Sequence, residues 1–175
     1  MARNVEIKAQ IDGDNFDSLK RKVAEISTSG PFELNQTDTF FHCNNGRLKL
    51  REFGNSTAEL IFYQRPDQLG PKTSDYMLSK CEPDSMRAAL GGANGIVGVV
   101  KKKRELFFIE QTRVHLDTVE QLGTFLELEV VLDDDQSEQW GEGVAKQILE
   151  TLSVADSCLI SSAYIDLLKA NRQQG

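Results

Sequence analysis

The residues with the most chemistry in this chain recur two apart. Glu6 and Lys8 are spaced this way, as are Arg47, Lys49 and Arg51, then Lys102 and Arg104, then Arg113, His115 and Asp117, and finally Glu127 and Glu129. Positions two apart on an extended strand share a face. Each charged set therefore projects to one side, while Val5, Ile7, Ala9, Leu48, Leu50, Leu126, Leu128 and Val130 project to the other. Solvated outer faces of sheets also carry charge, but they usually mix its signs. The column Arg47, Lys49, Arg51 is all positive, and such a column weakens a strand pair unless an anion or an acidic partner sits opposite. Turned inward, Arg and Lys from several strands would converge on a polyphosphate, with Arg offering a planar fork to two oxygens at once. The carboxylates suit Mg²⁺ or Mn²⁺, which prefer oxygen ligands. A metal there would bridge phosphate oxygens and neutralise charge in a transition state.

The elements that must position these residues are mostly strands. Alternation or aromatic and Thr-rich composition marks 4–11, 32–43, 46–53, 58–65, 72–82, 96–109, 112–117 and 124–132 as eight strands, joined largely by short loops. That pattern predicts an antiparallel meander, and about eight strands is the number at which a sheet closes into a small barrel. Helical spacing predicts four helices over 14–26, 83–90, 137–152 and 160–170, with Asp14 as the first N-cap and the run Asp133-Asp134-Asp135 capping the third. The expected architecture is α+β: an eight-stranded antiparallel β-barrel or tunnel with a charged interior, its apolar outer faces covered by the four helices. With 175 residues the chain is read as one domain, 1–175.

Composition narrows the function classes. The net charge of −7 disfavours a general nucleic-acid binder, because phosphate backbones reward positive surfaces. No apolar run approaches the roughly 20 residues needed to cross a bilayer, and the N-terminus lacks the apolar stretch of a signal peptide, so a cytoplasmic protein with no membrane partner is expected. Cys43, Cys81 and Cys158 show neither a CxxC nor a zinc-ligand spacing. His115, on a charged face, reads first as an ordinary hydrogen-bonded residue and second as a proton carrier.

Five separated segments resemble, in order, motifs of the CYTH domain family, the triphosphate tunnel metalloenzymes. This family includes class IV adenylyl cyclases, thiamine triphosphatases and inorganic triphosphatases. Asn4-Val5-Glu6-Ile7-Lys8 is similar to its E-x-E-x-K strand, with Asn4 at the place of the first Glu. Leu48-Lys49-Leu50-Arg51 resembles its L-[RK]-L-R strand, and Val100 to Arg104 its V-x-K-x-R strand. Arg113 to Asp117 followed by Leu122-Gly123-Thr124-Phe125-Leu126-Glu127-Leu128-Glu129 resembles R-x-x-x-D and L-G-x-F-x-E-[LI]-E, and Tyr164 to Leu168 resembles Y-x-D-L-L.

The resemblance implies a triphosphate ligand and Mg²⁺ or Mn²⁺. It implies phosphate contacts from Lys8, Lys49, Arg51, Lys102, Arg104 and Arg113, and metal ligation by Glu6, Glu127 and Glu129. Asp117 would join the metal or orient water, and Lys8 and Asp117 are the expected catalytic pair. Arg65 and Lys72 are weaker phosphate candidates: where the family carries Y-K-G-P this chain has Tyr63-Gln64-Arg65-Pro66, which places Arg65 on the opposite face unless a bulge re-aims it. The expected activity is metal-dependent hydrolysis of a triphosphate. An adenylyl cyclase and a non-catalytic triphosphate-binding module are the alternatives, and a homodimer is left open.

Overall fold

The computed structural model describes residues 2–175; Met1 lies outside the described residues. Eight antiparallel strands form the barrel: β1 (Ala2–Ile11), β2 (Ser29–Phe41), β3 (Arg47–Phe53), β4 (Ala58–Gln64), β5 (Lys72–Cys81), β6 (Ile96–Ile109), β7 (Thr112–Val119) and β8 (Gly123–Leu132). Strands β2 to β5 run as one meander and β6 to β8 as another. The β2–β6 and β1–β8 pairings join the two, and β1–β5 closes the ring. A two-residue strand, β9 (Leu159–Ile160), pairs with β1 at Lys8 and Ala9, on the stretch of its edge beyond the β5 pairing. The helices are α1 (Gly13–Ile26), α2 (Pro83–Asn94), α3 (Glu138–Thr151) and α4 (Tyr164–Gln173). None is long and apolar enough to cross a membrane.

The apolar face of the alternation points outward, as the sequence pattern requires. Val5, Ile7, Ala9, Val114, Leu116, Leu126, Leu128 and Val130 form one buried cluster with Leu19 and Val23 of α1 and Ala145, Ile148 and Leu149 of α3. Each large apolar side chain so buried contributes roughly 1.5–3 kcal/mol. Helix α3 lies close to the sheet because Gly141 carries no side chain; a Cβ there would stand 2.8 Å from both Val5 and Leu132. Helix α2 sets Met86 and Leu90 against Phe41 and Leu50.

The fourth helix departs from expectation twice. Ile160 is in a strand, because it finds a free edge of β1 opposite Lys8, and the helix begins only at Tyr164. It also does not cover an outer face. Its Tyr164, Ile165 and Leu168 pack with Phe40, Val100 and Phe125, and those three share strand faces with Asp38, Lys102 and Glu127. Helix α4 therefore stops one end of the barrel. The caps also shift: the Asp12 carboxylate, not Asp14, accepts from Asp14 N at 3.1 Å, and the Ser137 hydroxyl, not the Asp133 to Asp135 run, accepts from Trp140 N at 3.1 Å. In both cases the cap is the extended residue just before the helix, where a short side-chain oxygen reaches the free amides.

Candidate active site

Inside the barrel, side chains from all eight strands, charged on every strand but β5, line one cavity of about 230 Å³. Seven of them are cationic (Lys8, Lys49, Arg51, Arg65, Lys102, Arg104 and Arg113) against five carboxylates (Glu6, Asp38, Glu59, Glu127 and Glu129). The interior is thus positive in a chain whose net charge is −7.

One wall is organised around Asp38 of β2, which is 2 % exposed. Arg51 grips its two oxygens at 2.8 and 2.7 Å, and Lys102 and Lys49 reach the second oxygen at 3.1 and 3.2 Å. Burial alone would raise the Asp38 carboxyl, but Arg51, Lys102 and Lys49 together hold it well below the usual range. The lysines respond the other way. Burial and the neighbouring Arg51 push Lys49 down to about 8, and burial pushes Lys102 down to about 7 even with Asp38 beside it. Three cations sharing one carboxylate leave this wall short of negative charge.

A second network stands near the stopped end. Arg104 donates two 2.7 Å hydrogen bonds to Asp117 and a 3.2 Å bond to Glu127, and the Tyr164 hydroxyl donates at 2.7 Å to Asp117. Burial favours the neutral acid, yet Arg104 holds the Asp117 carboxyl down to about 2. Lys8 Nζ lies 4.0 Å from the Tyr164 ring centroid and Lys102 Nζ 5.7 Å from it, so the phenol ring faces two ammonium groups.

The third group is acidic. Register sets Glu6 opposite Glu129 and Lys8 opposite Glu127 across β1 and β8, while His115 and Arg113 of β7 stand opposite Glu127 and Glu129. Glu6 is ion-paired with Arg65. Burial raises the Glu6 carboxyl despite that partner, and Glu127 and Glu129 add to the rise. Carboxylate oxygens of Glu127 and Glu129 and a ring nitrogen of His115 all lie within 4.8 Å of one another. Asn4 Oδ1, buried in the same cavity, has no hydrogen-bond partner among the described residues. Two carboxylates, an imidazole and an unpaired amide oxygen fit the donor needs of a divalent cation.

A model of the CYTH domain matches residues 2–160. The chain belongs to the CYTH domain family. It is 28% identical over 178 residues to a Methanocaldococcus jannaschii protein provisionally named an adenylate cyclase, covering 93% of this chain and 97% of the relative. A solved protein of Pyrococcus horikoshii superposes with a TM-score of 0.78 at 20% identity, covering 94% of this chain and 98% of that one. A Hippeastrum protein, provisionally named an adenylyl cyclase and described as having a dominant triphosphatase activity, superposes at 0.66 with 14% identity, covering 98% and 96%.

Within the CYTH tunnel, most residues singled out from the sequence converge, and a few do not. Lys8, Lys49, Arg51, Lys102, Arg104, Glu6, Glu127 and Glu129 all line the cavity. Arg113 lines it too, paired with Glu129 at 3.6 Å and donating to Tyr76 at 3.2 Å. Arg65 needs no bulge to point inward. The β3–β4 register places Ile61 opposite Lys49 and Tyr63 opposite Arg47, so 61, 63 and 65 share the inner side and Gln64 faces out. Lys72 goes elsewhere: its Nζ donates to the carbonyls of Ser161 at 2.7 Å and Gln68 at 3.4 Å, tying the segment before α4 to the loop before β5. Arg47, first in the basic column, is drawn out of the tunnel by Asp166 of α4 at 2.7 Å. Asp117 has its oxygens engaged by Arg104 and Tyr164, and so serves as the anchor that orients both.

Two participants escaped the sequence reading. Asp38 lies in a strand marked by its aromatic and Thr-rich composition, and the local signal was its place two residues from Phe40, on the same strand face. Tyr164 was matched as part of a motif, but nothing local showed that its helix would turn into the barrel.

Proposed function

We propose that this CYTH protein is a metal-dependent enzyme that holds a triphosphate along its tunnel and hydrolyses it, releasing orthophosphate. The observation that carries this reading is the excess of cations over carboxylates along a cavity stopped at one end by Tyr164. A flexible polyanion threading from the open end would place its terminal phosphoryl group deepest, among Lys8, Lys102 and Arg104. Lys49 and Arg51 would hold the middle of the chain and Arg113 the part nearest the mouth. The description of the Hippeastrum relative, a dominant triphosphatase, agrees with hydrolysis.

In the reaction, a water oxygen forms the new bond to the terminal phosphorus as the bridging P–O bond breaks; the leaving diphosphoryl group takes the electron pair, and the proton the water gives up passes to a phosphate oxygen of the products. Arg104, locked by Asp117, presents guanidinium N–H groups at a fixed place, so stabilising the developing charge requires no reorganisation. Lys8 adds a buried ammonium to the same oxygens. Asp117, kept ionised and fully engaged, orients these groups and does not carry the proton. Glu127 and Glu129 would hold Mg²⁺ or Mn²⁺, which when bound supplies Lewis-acid neutralisation of phosphate charge.

A second reading, ATP cyclisation, draws support from the end of the tunnel away from Tyr164. There Leu34, Phe53, Leu78 and Leu106 make an apolar rim beside Tyr76 that suits the face of a base. The name of the Methanocaldococcus relative agrees with it. Purified protein should be incubated with tripolyphosphate, thiamine triphosphate and ATP, each with Mg²⁺ and with Mn²⁺, following orthophosphate and cyclic AMP. Metal-dependent orthophosphate that disappears in Glu127→Ala supports hydrolysis; cyclic AMP with pyrophosphate would replace it with the cyclase. Binding without turnover would leave a triphosphate-binding module.

A further inference from the structure

We infer that an imidazole nitrogen of His115 is a direct ligand of the cation held by Glu127 and Glu129, and that this nitrogen makes the centre selective for Mn²⁺ or a similar first-row transition ion over Mg²⁺. The inference rests on the metal-dependent reading above and goes beyond it by assigning a ligand and an ion class.

The His115 ring stands between the two carboxylates, with Nδ1 3.9 Å from Glu127 Oε2 and Nε2 3.9 Å from Glu129 Oε2. Both separations are too long for hydrogen bonds. Each is a spacing that two ligands of one ion can take up, because metal–ligand bonds of about 2.0–2.2 Å place two ligand atoms about 3–4 Å apart, and one ligand atom from each of His115, Glu127 and Glu129 lies within 4.8 Å of the other two. His115 is 3% exposed and its Nδ1 has no hydrogen-bond partner among the described residues. A buried polar atom left unpaired is costly, so its presence beside two carboxylates in a tunnel points to a partner that is not protein.

The rest of the acidic wall argues the same way. Glu6 faces the tunnel from the neighbouring strand, but Arg65 occupies its carboxylate. Asn4, one strand position further along the same face, brings an amide in place of a carboxylate, and its Oδ1 is also unpartnered. A centre reduced to two carboxylates, each already shared with an arginine (Arg104 at 3.2 Å from Glu127, Arg113 at 3.6 Å from Glu129), offers little to Mg²⁺, which binds oxygen and retains its waters. An added imidazole shifts the balance, since nitrogen ligands favour ions later in the first transition row.

The test uses the whole chain with Mn²⁺ alone and needs no turnover. Pulsed electron paramagnetic resonance of the Mn²⁺-loaded protein should show nitrogen coupling from a directly bound imidazole, and His115→Gln should abolish it. Titration should give Mn²⁺ binding about tenfold or more tighter than Mg²⁺, with His115→Gln weakening Mn²⁺ by about tenfold and leaving Mg²⁺ within about threefold. Absence of nitrogen coupling in the wild type, or unchanged Mn²⁺ affinity in a folded His115→Gln, overturns the inference. Glu127→Gln separates the two levels: if it leaves Mn²⁺ binding intact, the acidic wall is not the metal site and the metal-dependent reading itself fails. If Glu127→Gln abolishes binding while His115→Gln does not, only the nitrogen ligand is lost.

Discussion

The hydroxyl of Tyr164 donates a 2.7 Å hydrogen bond to Asp117, joining the last helix to a buried carboxylate of β7. Asp117 also receives the fork of Arg104, so one carboxylate fixes both the stop at the tunnel's end and a cation on its wall. Removing the hydroxyl in Tyr164→Phe leaves a buried carboxylate one donor short, at a cost of about 1–3 kcal/mol. Tyr164→Ala also empties the volume packed on Phe125 and should cost about 3–5 kcal/mol. Urea denaturation should rank the two in that order; equal stability of Tyr164→Phe and wild type would mean the bond contributes nothing.

Asp38 serves three cations, so Asp38→Asn should leave Arg51, Lys49 and Lys102 facing one another without a counter-charge. Stripping the acid from such a buried cluster typically costs about 3–5 kcal/mol. Tripolyphosphate should restore much of the loss, because it supplies the missing negative charge. Thermal melts with and without tripolyphosphate should therefore show a larger ligand-induced rise in Tm for the variant than for the wild type. An equal rise in both would separate Asp38 from the phosphate site.

Two of the depressed lysines, both beside Asp38, set a pH dependence for the ligand. Lys102 near 7 and Lys49 near 8 lie below their ordinary 10.5, so between these values the folded chain binds fewer protons than the unfolded one. Stability contributed by these groups thus rises with pH across that window. A polyanion pulls in the opposite direction by favouring the ammonium forms. Triphosphate binding at pH 8 should take up protons, and affinity should fall as pH rises from 7 to about 9. Calorimetry in two buffers of different ionisation enthalpy reads the proton count directly; identical heats in both would rule out coupling to these lysines.

Arg51 and Lys72 are both basic strand residues, yet they should behave differently. Arg51→Ala removes a fork from the tunnel wall and should weaken tripolyphosphate binding by about 10–100-fold. Lys72 bonds to carbonyls of two connecting segments, so Lys72→Met should lower Tm while leaving tripolyphosphate affinity within about threefold. A loss of binding in Lys72→Met as large as that in Arg51→Ala would return Lys72 to the phosphate site.

The sequence by itself determined the strands, the faces and the charge. Period-two alternation is a local property, so Glu6 with Lys8, Lys49 with Arg51, Lys102 with Arg104 and Glu127 with Glu129 were legible as shared faces without knowing any neighbour. The two kinds of face also made a closed tunnel with helices outside the economical arrangement, and the CYTH motifs agreed. What the strands meet could not be read locally, because it depends on cross-strand register and on where the chain returns. Register alone turned Arg65 inward and Gln64 out, and it brought His115 between Glu127 and Glu129. Chain return brought Tyr164 onto Asp117, residues 47 apart in sequence, and set Asp38 against Lys102, 64 apart. The same long-range pairings decided which charges are already satisfied: Glu6 by Arg65, Asp117 by Arg104 and Tyr164, Lys72 by two carbonyls. A sequence displays which groups can ionise, but only the packed barrel, where burial makes every unpaired charge costly, decides which of them remain available for a ligand.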